Sequence, residues 1–279
     1  MNSSVLVNAT RVGESPPPLR SGALVGEMLN KVPAISLIFW IIKILSTTVG
    51  ETGADYLAVH VGLGTAVTGG IMIALLLSAL VFQLRARRYI PWIYWLTVVL
   101  VSVVGTQITD ALTDRLGISL YASTAAFAIG LAAIFACWYR CERTLSIHTI
   151  TTRRRELFYW AAILLTFALG TAAGDLATEA LGLGFRLGVL AFGGLIAFIA
   201  VAHRIGAPSV LSFWLAYILT RPLGASLGDL LSQSTSYGGL GMGTINTSIV
   251  FLVVIVALVA WVTFRLSHED PAQHTNANV

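Results

Sequence analysis

Charged residues are scarce in this sequence. Only 11% of the 279 residues are Asp, Glu, Lys or Arg, whereas soluble domains usually carry about 25%. Apolar residues make up 56%, and the mean hydropathy is +0.82. The net charge of +4 lies in short clusters at the ends of apolar runs rather than on one face, which argues against a nucleic-acid partner. This composition predicts an integral membrane protein whose main partner is the lipid bilayer.

Cysteines and catalytic motifs are equally scarce. Cys137 and Cys141 form a CxxxC pattern, which is a weak metal or redox signature, so we interpret them as reduced core or interface residues. The sequence has no GxxxxGK[ST], no strand-associated GxGxxG and no HExxH. His60 could bind a metal together with Asp55 or Glu51, but a lone histidine is more often a loop or interface residue, so whether a metal binds stays open. We expect no enzyme activity, no cofactor and no ATP-driven transport by this chain alone.

One pattern occurs four times along the chain. A tryptophan is followed by a glycine ten residues later and by an aspartate five residues after that, and an aromatic residue precedes each tryptophan. The four sets are Trp40, Gly50 and Asp55; Trp95, Gly105 and Asp110; Trp160, Gly170 and Asp175; Trp214, Gly224 and Asp229. Four matches at fixed spacing indicate a tandem repeat.

A second marker follows each aspartate and consists of a glycine, an apolar residue and a small residue. The four markers are Gly62-Leu63-Gly64, Gly117-Ile118-Ser119, Gly182-Leu183-Gly184 and Gly241-Met242-Gly243. Each opens an apolar run of about twenty residues, enough to cross a hydrocarbon core. In the fourth copy five additional residues precede the marker, which predicts a longer connection there. Each repeat therefore predicts two transmembrane helices joined by a turn.

The predicted fold is all-α, with eight transmembrane helices arranged as four tandem parallel two-helix repeats. The expected spans are 33–57, 64–84, 90–113, 120–139, 157–180, 186–202, 209–231 and 245–265. They form a transmembrane domain over residues 32–266, with repeats at about 33–86, 88–143, 153–204 and 207–265. We expect flexible tails over residues 1–31 and 267–279.

Basic residues accumulate on one side of these spans. That side carries Arg85, Arg87, Arg88, Arg140, Arg143, Arg153, Arg154, Arg155 and Arg204, and the other side carries Arg115 and Arg186. The distribution predicts cytoplasmic N- and C-termini in a multi-pass protein of the bacterial cytoplasmic (inner) membrane. Because each repeat has two spans, the four copies point the same way and their aspartates share one depth in the outer third of the bilayer.

The repeat pattern resembles the bacterial membrane family made of four tandem repeats of "domain of unknown function 347", in which each repeat has two transmembrane helices and a marker tryptophan. The resemblance covers about residues 33–265 and rests on Trp40, Trp95, Trp160 and Trp214. It implies the eight-helix architecture and no particular activity.

The four repeated aspartates are candidate ion- or proton-binding residues. An ionised carboxylate in hydrocarbon costs roughly 2.5–3.5 kcal/mol, so intramembrane acids usually line a bundle interior or a watery path. A ring of repeats would bring the four together on one axis, and two pairs would give two smaller sites. The alternative is structural, with each aspartate capping a helix end or bonding across a helix pair.

Two charged residues depart from the repeat, and a third lies deep in its span. Glu51 replaces Thr106, Thr171 and Ala225 of the other copies. It lies four residues before Asp55, so the two form the best local acid pair for binding a cation or passing a proton, with a solvated acid of the outer vestibule as the alternative. Lys43 aligns with Val98, Ile163 and Tyr217, and it either reaches back to the cytoplasmic interface or acts as a counter-charge. Arg221, deeper in its span and followed by Pro222, is a candidate internal counter-charge or anion contact.

Other repeated or nearby residues have less specific roles. We interpret Asp114 and Glu179 as surface acids, with cation attraction as the alternative. The marker tryptophans are expected to be interfacial anchors, and the marker glycines are expected to allow close helix packing.

The leading functional hypothesis is a membrane transporter or exporter of a small ion or solute, coupled to a cation or proton through the intramembrane acids. The alternative is a structural or accessory membrane protein without transport activity, whose partners bind the Arg153–Arg155 loop or the N-terminal tail. A homo-oligomer is compatible with either hypothesis.

Overall fold

The computed structural model describes residues 30–55 and 64–269, and all regular secondary structure within them is helical. The eight α-helices of this part are α1 (Leu37–Asp55), α2 (Gly64–Arg85), α3 (Pro91–Asp110), α4 (Leu120–Glu142), α5 (Arg153–Asp175), α6 (Gly184–Arg204), α7 (Ser209–Ser232) and α8 (Thr244–Glu269). Helices α3 and α5 continue into π-helical turns at Ala111–Arg115 and Leu176–Ala180, and 3-10 turns lie at Ile147–Thr149 and Thr235–Tyr237. The all-α prediction is confirmed for the described residues.

Seven of these helices, α2 to α8, are long and apolar enough to cross a membrane, with candidate spans of 21–26 residues. Helix α1 has 19 residues, of which Leu37–Val49 form a shorter apolar stretch. Large apolar side chains such as Phe82, Leu190, Phe198 and Val253 are exposed on the outer surface. An apolar surface of this extent is unfavourable in water and suits contact with lipid, so the chain is a membrane protein.

The helices form two layers. In α3, α5 and α7, 56–67% of the residues in the apolar stretch are buried, against 11–22% in α2, α4, α6 and α8. Helices α1, α3, α5 and α7, the first helices of the four repeats, contact one another in that order, and α7 contacts α1. We call these four helices the inner ring. Within it, α1 lies opposite α5 and α3 lies opposite α7.

The second helix of each repeat packs mainly on the next repeat. Helix α2 lies on α3, α4 on α5 and α6 on α7, and α8 returns to pack on α1. The two helices of one repeat make few direct contacts with each other. Each repeat therefore covers its neighbour, and the fourth closes onto the first.

The marker glycines are the points where the inner helices meet. At each of three contacts, the residue seven positions after the tryptophan of one repeat packs on the glycine of the preceding repeat. The pairs are Gly105 with Phe167, Gly170 with Arg221, and Gly224 with Thr47. A Cβ atom on Gly170 would lie 2.6 Å from Arg221 Cβ, closer than a side chain tolerates. The glycine therefore sets the distance between neighbouring inner helices.

Eight aromatic side chains close the inner ring at the end that carries the tryptophans, which we call the Trp end. The aromatic residue before each tryptophan packs on the tryptophan of the next repeat. The pairs are Phe39 with Trp95, Tyr94 with Trp160, Tyr159 with Trp214 and Phe213 with Trp40, with ring centroids 5.5–6.3 Å apart. The hydroxyl groups of Tyr94 and Tyr159 share a hydrogen bond of 2.5 Å. These aromatic pairs, the aromatic closure, fill the Trp end of the bundle.

The tryptophans themselves differ from the expected interfacial anchors. Trp95, Trp160 and Trp214 are only 3–4% exposed, so they are core residues rather than lipid-facing ones. The Nε1 atom of Trp214 donates to Leu145 O in the α4–α5 connection at 3.1 Å. The anchor interpretation is wrong for these three because the closure of the ring buries this position between repeats.

The second markers begin the outer helices as predicted. Gly117, Gly182 and Gly241 have φ values of +66°, +69° and +76°, a left-handed conformation that glycine adopts without steric cost. The connection between α7 and α8 spans residues 233–243. The corresponding connection between α5 and α6 is shorter and spans residues 176–183, including its π-helical turn. The prediction of a longer connection in the fourth repeat is confirmed.

Two predicted tail boundaries are wrong by a few residues. Lys31, assigned to the N-terminal tail, is buried, and its Nζ lies 2.7 Å from Glu156 Oε2. Gln83 Nε2 donates to the other oxygen of Glu156 at 3.0 Å, so the cluster joins the chain before α1 to the end of α2 and the start of α5. At the other end, α8 continues to Glu269 rather than stopping at 266. The remaining tail residues, 1–29 and 270–279, lie outside the described residues.

Candidate functional site

Two cationic side chains lie inside the inner ring. Lys43 on α1 and Arg221 on α7 are each 1% exposed. The Nζ atom of Lys43 lies 3.8 Å from the centroid of the Phe167 ring and 4.4 Å from that of Tyr217. Because Phe167 belongs to α5, opposite α1, the Lys43 side chain crosses the interior of the ring. The interpretation that Lys43 reaches back to the cytoplasmic interface is therefore wrong.

Arg221 crosses the ring along its other diagonal, from α7 to α3. Its Nη2 atom donates to Thr106 Oγ1 at 2.7 Å, and Thr106 lies on α3, opposite α7. The Thr106 hydroxyl is in turn 3.4 Å from that of Thr171 on α5. The two cations thus share one enclosed volume, which we call the ring interior.

The fold does not require these charges at their positions. The residues equivalent to Lys43 are Val98, Ile163 and Tyr217, and those equivalent to Arg221 are Thr47, Ser102 and Phe167. All six are neutral, and all are buried. Because other repeats pack at the same level without a charge, and because a buried cation is costly in a membrane, Lys43 and Arg221 are the candidate functional residues.

Pro222 fits between two inner helices beside Arg221. It lies inside α7 and, having no N–H, cannot bond the carbonyl of Ile218. That carbonyl faces Gly170, where an added Cβ would approach it to 3.1 Å. Pro222 itself packs on Gly174, 3.1 Å from the position of an added Cβ. Arg221 is therefore held in a segment of α7 that is tightly packed against α5.

Two described aspartates share one cavity. Asp175 and Asp229 line a cavity of about 250 Å³ between α5, α6 and α7, together with Ser226 and Gln233. The cavity lies at the end of the ring away from the tryptophans, which we call the Asp end. Asp175 is also the last residue of α5 before its π-helical turn.

Asp110 lies in a different cavity. This space of about 570 Å³ lies between α2 and α3 and is also lined by Asp114 and Arg115. Asp110, like Asp175, directly precedes a π-helical turn. The structure therefore brings Asp175 and Asp229 together and separates them from Asp110. Within the described residues, no group of three or more His, Cys, Asp or Glu side chains is placed to hold a metal ion.

One residue connects a cavity to the buried cations. Thr106 lines the cavity of Asp110, and its hydroxyl group accepts the hydrogen bond of Arg221. The equivalent residue of the fourth repeat, Ala225, lines the cavity of Asp175 and Asp229. Polar groups thus run from the Asp end, through Thr106, to Arg221.

Several predicted site residues fall outside what the structure describes. The backbone of α1 includes Glu51 and Asp55, but their side chains are not part of the description, and the same holds for Glu179. His60 lies in the undescribed segment 56–63. The acid pair of Glu51 and Asp55 therefore stays a prediction, supported by the equivalence of position 51 to Thr106 and Thr171.

Cys137 and Cys141 are free and exposed on α4. Their interpretation as core residues is wrong, because they lie on the outward face of an outer helix, and this leaves the interface interpretation.

Sequence reasoning did not anticipate the contact between Lys43 and Tyr217. Comparison of the repeats points to this contact, because Tyr217 is the only aromatic residue at a position that the other repeats fill with Val98, Ile163 and Lys43. A polar aromatic residue and a lysine at equivalent positions of neighbouring helices indicate a shared environment. The spacing along one helix does not show that Lys43 also reaches α5.

A family model described as "Repeat of Unknown Function (DUF347)" matches this chain four times, at residues 38–89, 93–144, 158–205 and 212–266. Each match covers one pair of helices, with the tryptophan near its beginning. No curated protein and no solved structure matches the chain.

Proposed function

We propose that this chain, which belongs to the family built from the Repeat of Unknown Function (DUF347), is a membrane transporter or exporter of a small ion or solute. The observation that carries the proposal is the position of Lys43 and Arg221, whose side chains cross a closed ring of helices along its two diagonals. Charges placed inside a membrane protein at such cost usually belong to a substrate or ion pathway.

The proposed route begins at the Asp end. A solute enters through the cavity lined by Asp110 and Arg115, passes Thr106 and reaches Arg221 and then Lys43. The aromatic closure blocks the way to the Trp end. The described arrangement therefore corresponds to a carrier closed on the Trp side, and transport requires the aromatic pairs to separate.

The acids supply the proposed coupling. Asp175 and Asp229 share one cavity, and two carboxylates in one cavity attract a cation or share a proton. Glu51 and Asp55 are the equivalent candidates in the first repeat. Cation or proton binding at these acids would offset the positive charge of the ring interior as the solute moves.

The proposal includes a definite topology. Helix α1 would be the eighth crossing, the four repeats would point the same way, and the Trp end with both termini would face the cytoplasm of a bacterium. The exposed Arg140, Arg153 and Arg154 near the Trp end support this orientation. A homo-oligomer would leave the route within each chain.

The test is a flux measurement on purified protein in liposomes, with enclosed dyes that report pH and cations. We expect flux with the wild type, and loss of flux with the paired changes Asp175→Asn and Asp229→Asn and with Glu51→Gln and Asp55→Asn. The matched control is Glu142→Gln, which removes an acid from a partly exposed ion pair with Arg155. Absence of flux with every cation tested, from protein that inserts and folds, would refute the proposal.

The second candidate is a structural or accessory membrane protein. It is favoured by the three described glycine contacts and the aromatic closure, which serve packing, and by the exposed arginines near the Trp end. In that case the acids would lock helices, and all variants above would change stability without any flux to lose.

A further inference from the structure

We propose that the ring interior at Lys43 and Tyr217 binds a compact monovalent anion, either an inorganic ion or the carboxylate of a small solute. This inference rests on the proposed transport function and names the class of substrate that the buried cations accept. Both side chains come from neighbouring inner helices, α1 and α7, and both are 1% exposed.

The two side chains present hydrogen-bond donors that the described protein does not satisfy. A lysine ammonium group has three N–H donors and no acceptor. Lys43 Nζ faces the rings of Phe167 and Tyr217, and in the described part of the chain no oxygen atom bonds or pairs with it. The hydroxyl of Tyr217 is buried and likewise has no hydrogen-bond partner there. Buried donors of this kind are nearly always satisfied, by protein, water or a ligand.

The surrounding charges favour an anion over a neutral acceptor. Arg221 adds a second buried positive charge to the ring interior. The positions equivalent to Lys43 on α3 and α5 are Val98 and Ile163, both fully buried apolar residues. Apolar walls lower the local dielectric and strengthen the attraction between Lys43 and an anion. One negative charge at this place would reduce the repulsion between the two cations and supply the missing acceptor.

The enclosure restricts the size of the ligand. Phe167 and Tyr217 are packed on each other with centroids 6.5 Å apart, and both contact the Lys43 ammonium. The aromatic closure fills the Trp side. Only a small ion or a single carboxylate group suits this place, and its approach is from the Asp end past Thr106 and Arg221.

Equilibrium binding tests the inference separately from transport. Thermal unfolding of the purified full chain is followed by intrinsic tryptophan fluorescence while chloride, nitrate or acetate replaces gluconate at constant ionic strength. We expect at least one of these anions to raise the unfolding temperature saturably, because a ligand of the native state stabilises it. A response to acetate alone assigns the site to carboxylates, and a response to chloride or nitrate assigns it to inorganic anions.

Two variants locate the effect. Lys43→Met should weaken the apparent affinity about tenfold or more, and Tyr217→Phe, which keeps the shape of the ring, about two- to tenfold. Arg88→Gln, which removes an exposed cation near the Trp end, controls for surface binding and should leave the affinity unchanged.

The outcomes separate this inference from the transport proposal. No saturable response to any of the three anions, or a response that survives both Lys43→Met and Tyr217→Phe, overturns the anion site. If Lys43→Met does not fold, Tyr217→Phe alone decides. Flux in liposomes without anion binding would support the transport proposal and overturn the anion site. Anion binding without any flux would support the anion site and overturn the transport proposal.

Discussion

Replacing Gly170 by alanine should destabilise the protein markedly, because this glycine is where α5 and α7 meet. The added Cβ would lie 2.6 Å from Arg221 Cβ, 2.9 Å from its Cγ and 3.1 Å from the carbonyl oxygen of Ile218. The first two atoms are the base of a side chain and the third is backbone, so no rotation of a flexible end relieves the contact. The helices must move apart.

Overpacking of this kind typically costs about 1–3 kcal/mol. For a chain of this size, each kcal/mol lowers the unfolding temperature by roughly 2–4 °C, so Gly170→Ala should lower it by roughly 2–12 °C. The matched control is Gly194→Ala in α6, where an added Cβ meets nothing within 4 Å. There, the better helix propensity of alanine should leave the protein unchanged or stabilise it by up to about 1 kcal/mol.

The assay is thermal unfolding in detergent, followed by tryptophan fluorescence at one scan rate for both variants. Equal unfolding temperatures for Gly170→Ala and Gly194→Ala would refute the reasoning, since the two changes add the same methyl group. Such a result would mean that α5 and α7 do not meet at Gly170.

Three further predictions follow from other contacts. Glu156→Gln should lower the free energy of unfolding by about 3–5 kcal/mol, because it leaves Lys31 buried without its ion-pair partner. The control Glu142→Gln, at a partly exposed pair, should cost at most about 1 kcal/mol. Equal losses of stability in thermal unfolding would contradict the account of the buried cluster. Tyr94→Phe and Tyr159→Phe should each lower the free energy of unfolding by about 1–3 kcal/mol, because each leaves one buried hydroxyl without its hydrogen-bond partner. The double variant should lose less than the sum of the two. Strictly additive losses would argue against the hydrogen bond between these tyrosines. A membrane-impermeant maleimide should label Cys141 in inside-out vesicles and not in intact cells, and Cys141→Ser is the control. Labelling in intact cells would reverse the proposed topology.

Most of the fold could be predicted from the sequence, because each position of the repeat occurs four times and can be compared between copies. The tryptophan, glycine and aspartate spacing predicts helix pairs, and the apolar runs predict their length. Equivalent positions also indicate where a residue is exceptional, as they do for Glu51 and Lys43. Periodicity along one helix does not, however, show that the second helix of a repeat packs on the next repeat, since that depends on which neighbouring surface fits best.

The candidate site was predictable only in part for the same reason. Lys43 has two ways to avoid lipid, to reach the cytoplasmic interface or to enter the bundle, and the sequence does not decide between them. The structure places it over Phe167 and Tyr217 because those rings line the interior at its level. The division of the aspartates between two cavities likewise depends on the clefts between repeats, which no local pattern encodes.

The central claim is that the ring interior is a pathway that water and a small ion can enter from the Asp end, and thiol reactivity tests it directly. In a background with Cys137→Ser and Cys141→Ser, Thr171→Cys is treated with a small anionic methanethiosulfonate reagent. The control is Ala162→Cys, at a fully buried position in the hydrophobic core. The account predicts that the thiol introduced at position 171 reacts much faster than the one at position 162. Equal, negligible reactivity at both positions would show a dry helix contact and contradict the proposed pathway.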